Sequence, residues 1–67
     1  MFFSQNIKFL RKRKGFTQDQ VAQSLELNRS TLNNYENEVS QPTVQALLTF
    51  SKYYHIAIDT LLNIDLT

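Results

Sequence analysis

Hydrophobic residues recur along the chain at intervals of three and four, which is the periodicity of amphipathic helices. Polar breaks divide this pattern into five segments, and the only glycine and the only proline both fall between segments. No segment alternates polar and apolar residues as a half-buried strand would, and no hairpin dipeptide occurs. The pattern therefore predicts an all-α fold with one domain over residues 1–67. The five helices are expected at about residues 4–14, 17–25, 28–36, 43–54 and 57–63.

Residues that cap helices stand at most of these boundaries. Ser4 is a candidate N-cap of the first helix, and Gly15 permits a left-handed exit from it. Thr17 and Gln20 have the spacing of a capping box at the start of the second helix. Asn28 is a candidate N-cap of the third. These signals predict two short helices only a few residues apart, which is the pattern of a helix-turn-helix.

The same periodicity predicts the core. A fourth helix is expected to begin at Pro42 and Thr43. The side chains expected to be buried are Phe3, Ile7, Leu10, Val21, Ala22, Leu25, Leu32, Tyr35, Val44, Leu47, Leu48, Phe50, Ser51, Tyr54, Ile58, Leu61 and Leu62.

The third helix is rich in hydrogen-bonding side chains. With its two apolar residues turned inward, a rotation of about 100° per residue directs Ser30, Asn33 and Asn34 outward. Arg29 projects from the leading end. Arginine reads guanine through O6 and N7, asparagine reads adenine through N6 and N7, and serine discriminates weakly. The composition of this surface predicts a helix that reads DNA.

Charge is distributed unevenly along the chain. The net charge is +1, but residues 1–35 carry six basic and two acidic side chains, or +4, whereas residues 36–67 carry one basic and four acidic, or −3. The basic half contains the polar helix, as contact with phosphates would require. For the run from Lys12 to Lys14 alone, a favourable interaction with the dipole of the first helix is an equally good explanation.

Composition argues against several other classes of protein. Without cysteine the chain has no disulfide and no thiolate metal site, and the single histidine, His55, leaves no nucleophile–base pair. No glycine-rich loop is available to hold a nucleotide. We therefore predict no enzyme activity, no cofactor and no bound metal. The apolar runs are too short to span a membrane, and the amino terminus reverses the order of a signal peptide, which predicts a cytoplasmic protein.

Five short motifs occur in order along the chain. They are Ile7-x-x-Leu10-Arg11, Thr17-Gln18-x-x-Val21-Ala22, Leu32-x-x-Tyr35-Glu36-Asn37, Pro42-Thr43 and Ile56-x-Ile58-Asp59-x-Leu61-Leu62. The ordered set resembles the phage repressor and Cro-like helix-turn-helix domain, the XRE family, over about residues 4–64. The resemblance implies a compact five-helix repressor-like fold. It also implies sequence-specific binding of double-stranded DNA by a transcriptional regulator, a repressor, with residues 28–36 in the major groove.

The resemblance also implies roles for single residues. Arg11 and Glu36 match an ion pair that orients the recognition helix, although a purely structural pair is the simpler interpretation. The positions that match base contacts are Arg29, Ser30 and Asn34. The positions that match phosphate contacts are Gln18, Asn28 and Asn37, to which Asn33 and Lys14 are added as further candidates. For Gln18, the alternative is a solvated residue in the first helical turn.

The chain departs from the family where glycine is usual. Glu26 occupies the turn between the second and third helices, and we expect it to keep a positive φ at a modest energetic cost. Glu38 and His55 replace two further common glycines. Both glutamates put negative charge near the expected DNA surface.

A single domain of this size offers few base contacts, so we expect a homodimer on a palindromic operator. By resemblance the dimer surface involves the last helix, where Ile56, Ile64 and Leu66 exceed what the core needs. No small-molecule effector is evident. The alternative function is a helix-turn-helix scaffold that docks on a protein without reading DNA. A membrane-surface helix is disfavoured because Ile7 and Leu10 are needed in the core.

Overall fold

Five α-helices form the fold, close to the predicted positions. The computed structural model describes residues 1–67 in full and contains no strand, so the all-α prediction is confirmed. None of the helices has the length and apolar character needed to cross a membrane. The helices are α1 (Phe3–Arg13), α2 (Gln18–Ser24), α3 (Arg29–Glu36), α4 (Val44–Tyr54) and α5 (Ile58–Asn63).

The end of α1 and the start of α2 follow the predicted local rules. Gly15 has φ +76°, and the N–H of Phe16 donates to the carbonyl of Arg11 at 3.1 Å, which closes a Schellman-type end. The Thr17 hydroxyl accepts from the Gln20 N–H at 3.1 Å, and the Gln20 side chain accepts from the Thr17 N–H at 2.8 Å. This capping box satisfies two donors that the helix itself cannot.

The start of α1 differs from the prediction, because Ser4 is not its cap. The helix begins one residue earlier, with Phe2 at the N-cap position and no side-chain capping bond, and Ser4 is buried in the first turn. The backbone N–H of Phe2 donates instead to the carbonyl of Leu62 at 2.8 Å. A tertiary contact with α5 therefore determines where α1 starts.

A single cluster of buried hydrophobic side chains lies between the helices. At its centre the rings of Phe3, Tyr35 and Phe50 meet edge to face, with centroids 5.5 to 6.2 Å apart. These rings belong to α1, α3 and α4, so they fix the third helix to the rest of the molecule. The cluster consists of Phe3, Ile7, Leu10, Val21, Ala22, Leu32, Tyr35, Ala46, Phe50, Tyr54 and Leu61.

The predicted buried face of α4 is partly wrong. Val44 is 74% exposed and Leu48 is 39% exposed, whereas Ala46, which the prediction omitted, is buried. The helix presents the row Ala46, Phe50 and Tyr54 to the core, at intervals of four residues. Val44 lies at the first helical position, where Thr43 caps the helix by accepting from the Ala46 N–H at 3.0 Å. Val44 and Leu48 each lie two positions from this row, about 200° around the helix axis, so they face solvent.

Asn6 is a fully buried polar residue that the sequence analysis missed. Its Nδ2 donates to the carbonyls of Leu61 and Ile64 at 2.9 and 2.7 Å, and its Oδ1 accepts from the N–H of Leu66 at 3.0 Å. These bonds satisfy the amide and connect α1 to the end of α5 and to the residues that follow it.

Candidate nucleic-acid interface

A four-residue turn joins α2 to α3. Glu26 takes φ +56° there, as predicted for a position where the family has glycine. The N–H groups of Glu26 and Leu27 donate to the carbonyls of Gln23 and Ala22 at 3.2 and 2.8 Å. This is the hydrogen-bond pattern of a Schellman end, so a glutamate performs the conformational role of a glycine.

Arg11 and Glu36 form the predicted ion pair. Arg11 Nε donates to Oε2 of Glu36 at 2.7 Å, Nη2 donates to Oε1 at 3.0 Å, and Nη1 donates to the carbonyl of Phe16 at 2.9 Å. The two side chains are 10% and 1% exposed. The hydrogen bond to Glu36 raises the pKa of Arg11, against the opposing effect of burial. The pair connects α1 to the last residue of α3.

A chain of amide side chains extends from this ion pair across the surface. Nε2 of Gln18 donates to Oε1 of Glu36 at 3.1 Å and to Oδ1 of Asn33 at 3.2 Å. Nδ2 of Asn37 also donates to Oδ1 of Asn33, at 2.9 Å. The fold thus brings together Gln18, Asn33 and Asn37, three of the predicted phosphate contacts, and we call them the amide network.

Both N–H groups of the Gln18 side chain are directed at acceptors within the protein. A phosphate oxygen also requires a donor, so the predicted side-chain contact from Gln18 to phosphate is not preformed. Asn28, in contrast, stands at the N-cap position of α3 with φ −70° and ψ 147° but makes no side-chain capping bond. The exposed side chain of Asn28 therefore does not make the capping hydrogen bond that the sequence predicted.

Arg29 begins α3 and has an acidic neighbour. Its Nε lies 3.6 Å from Oδ1 of Asp19, and the two side chains are 67% and 71% exposed. Sequence reasoning missed this contact, although Asp19 stands in the first turn of α2, where negative charge suits the helix dipole. Because both groups are solvated, the pair contributes little to stability.

The other two predicted base contacts differ in their surroundings. Ser30 is exposed. Asn34 is half-buried, and its backbone carbonyl accepts from the N–H groups of Val39 and Ser40 at 2.9 and 3.3 Å, which closes the end of α3.

Lys14 lies apart from the amide network. It is exposed at the end of α1 and lines a shallow surface depression with Leu10, Arg13 and Tyr54.

The residues expected to form a dimer surface do not share one environment. Ile56 and Leu66 pack, half-buried, against the core cluster. Ile64 alone is widely exposed, at 50%. The expectation that all three are surplus to the core is therefore wrong for Ile56 and Leu66.

Two short helices joined by a left-handed turn, the second exposing a polar face, define the helix-turn-helix class of domain. The sequence profile of the Helix-turn-helix family matches residues 7–61, and the chain belongs to this family. The resemblance noted from the motifs is thereby confirmed.

Two curated relatives show where such a domain occurs. The chain is 32% identical over 65 residues to the HTH-type transcriptional regulator ImmR of Bacillus subtilis (strain 168), covering 97% of this chain and 51% of ImmR. It is 32% identical over 63 residues to the HTH-type transcriptional activator BcrR of Enterococcus faecalis, covering 94% of this chain and 31% of BcrR. The chain thus spans about half the length of ImmR and a third of that of BcrR.

Two solved structures share the fold. The N-terminal DNA binding domain of SinR from Bacillus subtilis superimposes with a TM-score of 0.85 at 27% identity, covering 98% of this chain and 97% of that one. A transcriptional regulator from Listeria innocua gives a TM-score of 0.81 at 29% identity, covering 88% of this chain and 55% of that one. These matches confirm the repressor-like five-helix fold.

Proposed function

We propose that this chain binds double-stranded DNA sequence-specifically as the DNA-binding domain of a transcriptional regulator, with α3 in the major groove. The observation that carries the proposal is the exposed polar face of α3, held in place by the buried pair of Arg11 and Glu36. Apart from the paired Arg11, residues 1–35 carry five basic and two acidic side chains, and this excess of positive charge supports contact with phosphates. The relation to SinR's DNA binding domain and to ImmR supports the same function.

Within this proposal each predicted residue keeps one role. Arg29 reads a guanine through O6 and N7, with Ser30 and Asn34 beside it on the base edges. The phosphate contacts are Gln18, Asn28, Asn33, Asn37 and Lys14. Gln18 acts through the amide network, with its side-chain N–H groups still bonded to Glu36 and Asn33. The phosphate contact proposed for Lys14 is supported only by its positive charge, since Lys14 lies beside Tyr54 and apart from the amide network.

We further propose a homodimer on a palindromic operator, with half-sites about one helical turn apart. Ile64 is the part of the predicted dimer surface that is exposed in the monomer. Repression remains a prediction, because one relative is named a regulator and another an activator. We propose no catalytic activity for the chain. We propose that it binds DNA in the cytoplasm.

A random-sequence binding selection, followed by affinity measurements at two salt concentrations, tests this function. We expect one enriched motif with two half-sites, and an affinity that falls about a thousandfold between 50 and 200 mM salt for roughly six phosphate contacts. A chain that selects no motif at low salt would favour the alternative, a helix-turn-helix scaffold that docks on a protein.

A further inference from the structure

The amide network is bonded at one end to Glu36, a group that can only accept hydrogen bonds. The ionised carboxylate of Glu36 has no proton to donate, and Arg11 holds it with two hydrogen bonds. An amide facing this carboxylate must present its nitrogen, because the orientation of an amide is set by its partners. Gln18 therefore places Nε2 towards Glu36, at 3.1 Å.

The orientation of Gln18 in turn determines that of Asn33. The same Nε2 donates to Oδ1 of Asn33 at 3.2 Å, because only the carbonyl oxygen of the Asn33 amide can accept a hydrogen bond. Asn37 approaches this oxygen from the other side with Nδ2, at 2.9 Å. Both lone pairs of Asn33 Oδ1 are then in use, while its Nδ2 keeps two protons on an exposed helical position.

We infer that Asn33 meets DNA only as a hydrogen-bond donor. It binds an acceptor, which is either a phosphate oxygen or a major-groove base acceptor: O6 or N7 of guanine, N7 of adenine or O4 of thymine. It does not make the paired contact with adenine that is usual for asparagine, because that contact needs Oδ1 as an acceptor. Gln18 and Glu36 are the positioning residues. This inference rests on the proposed function.

The free protein offers a test that does not involve DNA. We would record the side-chain amide signals of ¹⁵N-labelled protein before and after Gln18→Met, which removes the donor and nearly preserves the shape. The Asn33 amide signals are expected to shift, since Oδ1 loses one of its two partners. Gln23→Met, at an exposed position of α2, is the matched control and should leave them in place. Unchanged Asn33 signals in Gln18→Met would overturn the inferred orientation.

The second test measures binding. Asn33→Ala should fold normally, because the residue is exposed and alanine favours a helix. Its unfolding temperature, compared with that of Gln23→Ala, verifies this. We expect Asn33→Ala to lower DNA affinity about tenfold, the effect of losing one hydrogen bond. An equal loss on every sequence identifies a phosphate as the acceptor, and a loss confined to sites that carry one particular base identifies a base.

Two results of the binding test would contradict the inference. One is a preference for adenine over guanine that disappears in Asn33→Ala, since it would show that Oδ1 accepts from adenine N6. The other is an unchanged affinity. Failure of the wild-type chain to select any motif is a different result, because it overturns the proposed function itself.

Discussion

Arg29 is the predicted base-reading residue whose surroundings most affect its proposed role, because Asp19 lies 3.6 Å away on the same surface. In free protein the carboxylate partly neutralises the guanidinium. On DNA it would approach phosphates of like charge. Asp19 is therefore expected to weaken binding to all sequences and to make binding more dependent on the contact between Arg29 and its base.

Replacing Asp19 with asparagine tests this expectation. We predict that Asp19→Asn binds random-sequence DNA about three- to tenfold more tightly, with a smaller gain on the selected site, so that discrimination falls. Titrations of both DNAs at one salt concentration measure the effect. Asp59→Asn alters the corresponding first turn of α5 and should change neither affinity. A loss of affinity in Asp19→Asn would indicate instead that the carboxylate positions Arg29 for binding.

The buried pair of Arg11 and Glu36 gives a prediction about stability. Arg11→Met leaves an uncompensated carboxylate that is 1% exposed, so we expect the free energy of unfolding to fall by about 3–5 kcal/mol. The double variant with Glu36→Met should recover much of this loss, because no buried charge is left. Urea denaturation of both variants checks the prediction. A double variant no more stable than Arg11→Met would contradict the electrostatic explanation.

Tyr54 gives a prediction about pH. Its hydroxyl is buried without a hydrogen-bond partner, and burial raises the pKa of this phenol well above the ordinary 10.0. The folded state therefore favours the neutral form, so its contribution to stability is complete below pH 10 and declines as the pH rises above that value. Tyr54→Phe should be as stable as wild type or up to about 1 kcal/mol more stable, with less alkaline destabilisation.

Thermal unfolding between pH 8 and 11 measures both effects. Tyr53→Phe changes the neighbouring, half-buried tyrosine and is the matched control. A large loss of stability in Tyr54→Phe at pH 8 would show that the hydroxyl has a partner.

At the scale of the helices, each of the first four helices is followed by a residue in the left-handed conformation, and three of these residues are not glycine. Gly15, Glu26, Glu38 and His55 all have φ between +56° and +76°, and they follow α1, α2, α3 and α4 in turn. A left-handed conformation costs a residue other than glycine about 1–2 kcal/mol. Three of the four exits therefore carry strain that the surrounding hydrogen bonds must offset.

Glu26→Gly is predicted to relieve this strain. We expect a gain of about 0.5–1 kcal/mol in the free energy of unfolding, since glycine's larger unfolded-state entropy offsets part of the relief. Glu26→Gln removes the charge but keeps the strained backbone, so it should gain little. Equal stabilisation by the two substitutions in urea denaturation would attribute the effect to charge and not to φ.

The helices could be predicted from the sequence because their signals are local. Periodicity located them, and Thr17, Gln20 and Gly15 perform the predicted roles at their ends. Ser4 failed as a cap because a contact with Leu62, far along the chain, determines where α1 starts. The exposed face of α4 was missed because apolar residues lie on two sides of this helix, and only the packing of the helices decides that the row Ala46, Phe50 and Tyr54 faces the core.

The candidate site was predictable where a family position constrains a residue, as for the pair of Arg11 and Glu36. The contact between Asp19 and Arg29 and the hydrogen bond from Gln18 to Asn33 each join α2 to α3 through side chains. No spacing along one helix encodes such contacts, because they depend on how the two helices pack. The orientation of the Asn33 amide follows only from the complete network.

At the scale of the whole molecule, one core supports a chain whose two halves differ in net charge. Residues 1–35 carry +4 and include α1, α2 and most of α3, whereas the remainder carries −3. The buried rings of Phe3 and Phe50 hold α3 through Tyr35. Arg11 holds it through the adjacent Glu36. The polar face of α3 is therefore presented on a rigid support, as base reading requires.

The central claim is that α3 reads DNA through Arg29. The most direct measurement compares wild type and Arg29→Ala on the selected operator and on variants of it that change one base pair at a time. We predict that wild type loses about 1–3 kcal/mol when one particular G·C pair is changed and that Arg29→Ala is indifferent to that change. A selected site without such a guanine, or a variant that still discriminates at it, would contradict the account.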